Sequence, residues 1–90
     1  MEYRTMYEPK ATTVHICKML KERNMTCKEL SLTAGISEQC IKAWVLGKTK
    51  PRLRSLFAVS KAFGLMIDDV IMVRKAGKVM TAAESHMITA

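Results

Sequence analysis

A dense run of cations lies near the middle of the chain, shortly after its one tryptophan, Trp44. Four of the seven residues from 48 to 54 are basic and none is acidic. These four are Lys48, Lys50, Arg52 and Arg54. Ammonium and guanidinium groups at this density favour a polyanion, either a nucleic acid or an anionic membrane. On charge alone, the alternative of a loop that is merely solvated stays open.

The charge of the whole chain is uneven as well as positive. The 90 residues include 15 Lys and Arg against 8 Asp and Glu, which gives a net charge of +7. Between residues 35 and 67, one acid, Glu38, stands against six bases. A chain of this length has room for a single small domain with a modest core. We therefore expect a small domain with a one-sided cationic surface.

Residues that could support catalysis or metal binding are sparse. The sequence has no Gly-rich phosphate loop, no nucleophile elbow and no paired acids, so an enzyme is not expected. The three cysteines, Cys17, Cys27 and Cys40, lack CxxC spacing, and His15 and His86 lack metal-ligand spacing. This pattern predicts free thiols, buried or half-buried, in a reducing cytoplasm, with no metal and no cofactor.

No membrane segment is expected either. The N-terminal stretch MEYRTMYEPK has no apolar core of the kind found in signal peptides. No apolar run approaches the ~20 residues that a membrane-spanning helix needs. A membrane is therefore not an expected partner.

The apolar periodicity predicts helices and no strands. The fold class expected is all-α, a compact bundle of five short helices at about residues 12–24, 26–34, 37–46, 52–63 and 67–73. In the first helix the inward stripe is Val14, Ile16, Met19 and Leu20. In the third, Ile41, Trp44 and Val45 form the inward stripe, which predicts that Trp44 packs in the core rather than stacking on a base.

Three regions follow from this reading of the chain. Residues 1–11 are predicted to be an N-terminal arm, and residues 12–74 form the domain. Residues 75–90 are predicted to be a C-terminal tail, either helical or disordered.

The second and third predicted helices carry specific start and turn signals. Thr26 and Glu29 have the S/T-x-x-E spacing of a capping box, which starts a helix. The sequence Ala-Gly-Ile-Ser at residues 34–37 supplies a residue suited to positive φ, an apolar plug and an N-cap. Two short helices joined by such a turn predict a helix-turn-helix, whose second helix presents its N-terminal half outward.

The ordered set of these motifs resembles a known family. Residues 26–71 are similar to the lambda-repressor-like (Xre/Cro-type) helix-turn-helix regulators of phages and bacteria, and helix one extends the likeness back to about residue 12. The motifs that carry the likeness are M-T-x-x-E-L at 25–30, A-G-I-S at 34–37, I-x-x-W at 41–44, G-K-T-K-P at 47–51, Leu53 with Leu56, and A-F-G-L followed by I-D-D-V at 62–70. The resemblance implies a five-helix DNA-binding domain that acts as a transcriptional repressor, a homodimer on a double-stranded operator with palindromic half-sites.

The resemblance also implies roles for individual residues. Helix 37–46 would read the major groove through Glu38, Gln39, Lys42 and Ala43. Gln39 suits adenine, Lys42 guanine or a phosphate, Glu38 a cytosine amino group, and Ala43 a thymine methyl. Phosphates would be contacted by Thr26, Cys27, Lys28, Ser37, Lys48, Lys50, Arg52 and Arg54, with the loop at residues 48–54 acting as a clamp. A solvent-facing role for Gln39 and Lys42, and a helix-start role for Glu38, stay open.

A second class of function is also compatible with the sequence. Cys27 stands where the family often has Gln, and Ala43 stands where relatives often have a longer polar side chain. The alternative is therefore an antitoxin or protein-binding module that keeps the helix-turn-helix fold and binds a protein partner such as a toxin.

Overall fold

The structure, a computed structural model, describes residues 6–87. Within them, five α-helices and three short strands follow one another, with a 3-10 turn at Ile67–Asp69. The elements in chain order are β1 (Met6–Tyr7), α1 (Pro9–Glu22), α2 (Cys27–Ala34), α3 (Glu38–Val45), α4 (Leu53–Phe63), β2 (Met72–Lys75), β3 (Lys78–Thr81) and α5 (Ala82–Met87).

The first helix begins earlier than its stripe predicted. It starts at Pro9 rather than at residue 12, because a proline in the first turn lacks an N–H that would be unpaired there anyway. It ends through Asn24, which has a φ of 52°, as predicted. The Met25 amide donates to the Leu20 carbonyl at 2.9 Å, a pairing that closes many helix C-termini.

The core is built largely where the helical stripes predicted it. Leu30, Ile41, Trp44, Leu56 and Val59 are all buried, which confirms that Trp44 is a core residue. The inward prediction for Val14 and Val45 is wrong, because these side chains are 69% and 47% exposed. Thr12, which is fully buried, takes the inward place at the start of α1.

The prediction of an all-α fold is wrong for the C-terminal third. Residues 67–73, predicted as a fifth helix, form the 3-10 turn and enter β2. The sheet has the order β1-β2-β3, and both pairings are antiparallel. Val73 and Met80, which are opposite each other in β2 and β3, are both buried, so one face of the hairpin packs inward.

The segment predicted as a C-terminal tail carries β3 and α5. A two-residue turn joins β2 to β3, and both of its residues, Ala76 and Gly77, have positive φ (55° and 79°). This is the backbone of a type I′ hairpin. Thr81 and Glu84 then form a second capping box, in which the Glu84 amide donates to Thr81 Oγ1 at 3.1 Å.

Residues 6–8 are held against the hairpin. Met6 pairs with Arg74 and Tyr7 with Val73. The Thr12 hydroxyl donates to the Glu8 carbonyl and accepts from the Met72 amide, both at 2.9 Å. These bonds tie the start of α1 to β2 across 60 residues of sequence. The domain boundaries expected from the sequence, at residues 11 and 74, remain a prediction.

Candidate nucleic-acid interface

Local hydrogen bonds build the two helices of the predicted helix-turn-helix. Thr26 Oγ1 accepts from the Glu29 amide at 3.1 Å and caps α2, which confirms the capping box. Gly35 ends α2 with a φ of 72°. The Ser31 hydroxyl donates to the Ile36 carbonyl and holds the turn. Ser37 then caps α3 by accepting from the Cys40 amide at 3.1 Å.

Helix α3 is fixed to the body of the domain by two anchors. Ile41 and Trp44 are 1% and 4% exposed, and they belong to one buried cluster with Leu30 of α2 and Leu56 of α4. Because side chains in a close-packed core have few alternative positions, these contacts set the orientation of α3. The remaining face of α3 is available for contact with a ligand.

That remaining face carries the four residues predicted to read bases. Gln39 and Lys42 are exposed, and Glu38 and Ala43 are half-buried. Lys42 Nζ lies 3.7 Å from Glu38 Oε1, one turn earlier on the helix. An exposed ion pair of this kind is weak, about 0.3–0.5 kcal/mol. Two of the four candidate base-reading residues are nevertheless paired with each other in the absence of a ligand.

The start of α2 is less open to an anion than the sequence implied. The Thr26 hydroxyl and the Thr26 amide both donate to Glu29 Oε1, at 3.2 and 3.4 Å. A phosphate at Thr26 would therefore have to displace this carboxylate. The amides of Cys27 and Lys28 make no hydrogen bond within residues 6–87, as the first turn of a helix leaves them free. These two amides and the exposed Lys28 side chain are the better donors to a phosphate.

The basic loop leaves α3 through a defined turn. Gly47 has a φ of 75°, and the Lys48 amide donates back to the Ala43 carbonyl at 2.9 Å. Pro51 is buried, and Arg52 occupies the N-cap position of α4 without a side-chain capping hydrogen bond. The side chains of all four predicted clamp residues are exposed. No ion pair within residues 6–87 involves any of them, so their charges are available to a ligand.

Two residues beside this loop were missed in the sequence. Tyr7 of β1 donates its hydroxyl proton to the Pro51 carbonyl at 3.1 Å. Lys10 of α1 is exposed and lines the same cleft as Lys50, a space of about 560 Å³ between the start of α1 and the end of α3. No local signal marked Tyr7, because its partner is 44 residues away. Lys10 was counted in the net charge but was not predicted as a site residue.

Other chemistry has little support among the described residues. No group of three or more His, Cys, Asp or Glu within residues 6–87 is placed to hold a metal ion. The three cysteines are free and half-buried, as predicted. Burial raises the pKa of the Cys17 thiol, and a smaller upward effect comes from Cys27. Over the same range, no helix has the length and apolar character to cross a membrane.

Comparisons with known proteins agree with this geometry. A family model described as the Cro/C1-type HTH DNA-binding domain matches residues 15–75, which include α2, α3 and the basic loop. A protein of Methanocaldococcus jannaschii, named an uncharacterized HTH-type transcriptional regulator, is 37% identical over 49 residues. The aligned part covers 54% of this chain and 74% of that protein. No solved structure matches significantly. The chain belongs to the family of Cro/C1-type helix-turn-helix DNA-binding domains.

Proposed function

We propose that the protein is a sequence-specific regulator of transcription that binds double-stranded DNA and acts as a repressor. In this proposal α3 enters the major groove and the loop at residues 48–54 holds the phosphate backbone. The observation that carries it is the arrangement of α3 and the loop. A helix anchored by Ile41 and Trp44 exposes polar side chains and leads directly into four exposed cations without partners in the described chain.

The residues divide into two sets by what they can recognise. Gln39 can form two hydrogen bonds with adenine, and Lys42 can donate to guanine. Lys42 reaches a base only if it leaves Glu38, so Glu38 competes with DNA for it. Ala43 offers a methyl contact at most. The phosphate set is Thr26, Cys27, Lys28, Ser37, Lys48, Lys50, Arg52 and Arg54.

We also propose that the protein acts as a homodimer on a palindromic operator. Its half-sites would then lie about one turn of DNA apart, ~34 Å. Val70 and Val73 are buried within one chain and are not available for a dimer contact. Leu53 and Phe57, which are one turn apart on α4, are 59% and 51% exposed and offer a candidate surface.

A second candidate function is a protein-binding module, such as an antitoxin. The observation that favours it is the cleft beside α3, because Val14, Val45 and Leu46 line it and are exposed. An apolar cleft accepts a side chain of a protein partner more readily than it accepts DNA. The two functions differ in their response to salt, because binding through phosphates weakens steeply as salt rises and apolar burial does not.

The proposal is tested by selection from a random duplex library at about 150 mM salt. Enrichment of a palindromic motif is the expected result, and the spacing of its halves reports the dimer. If no motif is enriched while the folded protein captures a protein partner, the second candidate replaces the first.

A further inference from the structure

One tertiary hydrogen bond joins the N-terminal strand to the basic loop. The Tyr7 hydroxyl donates to the Pro51 carbonyl at 3.1 Å. We propose that Tyr7 is a positioning residue of the DNA-binding site, which holds the loop at residues 48–54 in the shape that contacts phosphates. This inference rests on the proposed function, and it assigns a task to a residue that lies outside the helix-turn-helix.

The donor side of this bond is itself fixed in place. Tyr7 pairs with Val73 of β2, and the Glu8 amide donates to the Met72 carbonyl at 2.9 Å. Arg74 Nε lies 2.8 Å from Glu8 Oε1 and closes the same strand pair. The hydroxyl therefore projects from an edge strand that is hydrogen-bonded to β2 along its length. A tyrosine hydroxyl is protonated at neutral pH and can donate, and partial burial raises the pKa of Tyr7 further.

The acceptor, the Pro51 carbonyl, lies in the part of the loop that has the fewest other hydrogen bonds. At one end, the amides of Lys48 and Thr49 donate to the Ala43 carbonyl at 2.9 and 3.4 Å. At the other end, the Arg52 carbonyl accepts from Leu56 in α4 at 3.0 Å. Pro51 has no amide to donate and lies between them. Within residues 6–87, the Tyr7 bond is the one hydrogen bond that links this loop to an element other than α3 and α4.

The flanking residues explain why this point matters for binding. Lys50 and Arg52 precede and follow Pro51, and both side chains are exposed. The proline ring fixes its own φ and restricts Lys50 to extended conformations. A hydrogen bond to the Pro51 carbonyl therefore restricts the backbone positions from which the two cationic side chains extend. Binding to phosphates then costs less ordering of the loop, which is the general advantage of preorganisation.

The test is the affinity of Tyr7→Phe for duplex DNA at a fixed salt concentration. The ring and its packing stay, and only the hydroxyl is lost. We expect binding about 3- to 10-fold weaker, equally for selected and unrelated duplexes, because one hydrogen bond that orders the loop is missing. Ser85→Ala is the matched control, since its hydroxyl bonds to Ala82 within α5. That variant should bind as the wild type does.

A second background separates positioning from general damage to the fold. In Lys50→Ala/Arg52→Ala the loop has lost the two cations that flank Pro51, so the effect of Tyr7→Phe should shrink towards none. An equal loss in both backgrounds, or wild-type affinity for Tyr7→Phe, would overturn the proposal for Tyr7 while leaving DNA binding intact. If the folded wild type showed no salt-dependent duplex binding, both the positioning role and the proposed function would be wrong.

Discussion

Gln39 and Lys42 differ in what they must give up to touch a base. The Gln39 amide makes no hydrogen bond within residues 6–87 and is exposed on the second residue of α3. Lys42 lies beside Glu38. Gln39 therefore reaches a base edge at the cost of its hydration alone, whereas Lys42 must also leave a carboxylate. At the scale of single residues, Gln39 is the strongest candidate for direct reading.

Gln39→Ala should therefore change base preference at one position of each half-site. The expected cost on the preferred duplex is about 1–3 kcal/mol, because a bidentate contact to adenine is lost. Competitive binding to duplexes that vary at single positions measures it. Glu22→Ala, an exposed change near the end of α1, is the control and should leave the profile unaltered. A Gln39→Ala profile identical to that of the wild type would remove Gln39 from the readers.

Ala76 is the residue whose backbone carries strain. Its φ of 55° is left-handed, which costs a residue with a Cβ about 1–2 kcal/mol. Asparagine tolerates this conformation and favours type I′ turns before glycine. Ala76→Asn should raise the free energy of unfolding by about 0.5–1 kcal/mol, as measured by urea denaturation.

The neighbouring Gly77 provides the opposite change. A Cβ added there meets nothing within 4 Å, so Gly77→Ala tests the backbone alone. It should lower the free energy of unfolding by about 1 kcal/mol, since its φ is 79°. If neither Ala76→Asn nor Gly77→Ala changed the free energy of unfolding, the turn would contribute nothing to the stability of the domain.

At the scale of elements, Thr12 joins the helical part to the sheet. Thr12→Val keeps the shape and leaves the Met72 amide without an acceptor, which should cost about 1–2 kcal/mol of unfolding free energy. Thr13→Val is the matched control, because that hydroxyl bonds only to Pro9 within α1. It should change the free energy by less than about 0.5 kcal/mol. Equal effects in urea denaturation would contradict the tie between α1 and β2.

The same elements show what the sequence could and could not predict. Thr26, Gly35 and Ser37 act through neighbours within four residues, so the turn between α2 and α3 was predictable in detail. The sheet was not, because the apolar run around Val70 and Val73 suits a helix or a strand equally when it is short. Partners 44 and 60 residues away decide the roles of Tyr7 and Thr12.

Some signals in the missed region were local all the same. Thr81 and Glu84 have the same spacing as the capping box at Thr26, and that spacing marks the start of α5. The sequence Lys-Ala-Gly-Lys at residues 75–78 lies between two short apolar runs, as a hairpin turn does. These features indicate the hairpin turn and the start of α5, whereas no local signal indicates the pairing of β1 with β2. The roles of the DNA-contacting residues still rest on the family resemblance and remain predictions.

At the scale of the whole molecule, the net charge of +7 is distributed unevenly. Within residues 6–87, Lys42 and Arg74 form ion pairs and His86 Nε2 lies 3.5 Å from Asp68 Oδ2, and each of these three residues lies outside the basic loop. The loop is thus the densest group of exposed cations without an ion-pair partner in this part of the chain. A field of this kind attracts any duplex before α3 reads its sequence.

The most direct measurement compares the salt dependence of duplex binding by the wild type and Lys48→Ala/Arg52→Ala, from about 50 to about 200 mM salt. Lys18→Ala/Lys21→Ala, which removes the same charge from α1, is the control. We expect a steep slope for the wild type and control, and a slope lower by about one for each phosphate contact that the loop variant loses. Equal slopes for all three folded proteins would contradict the loop as the phosphate clamp.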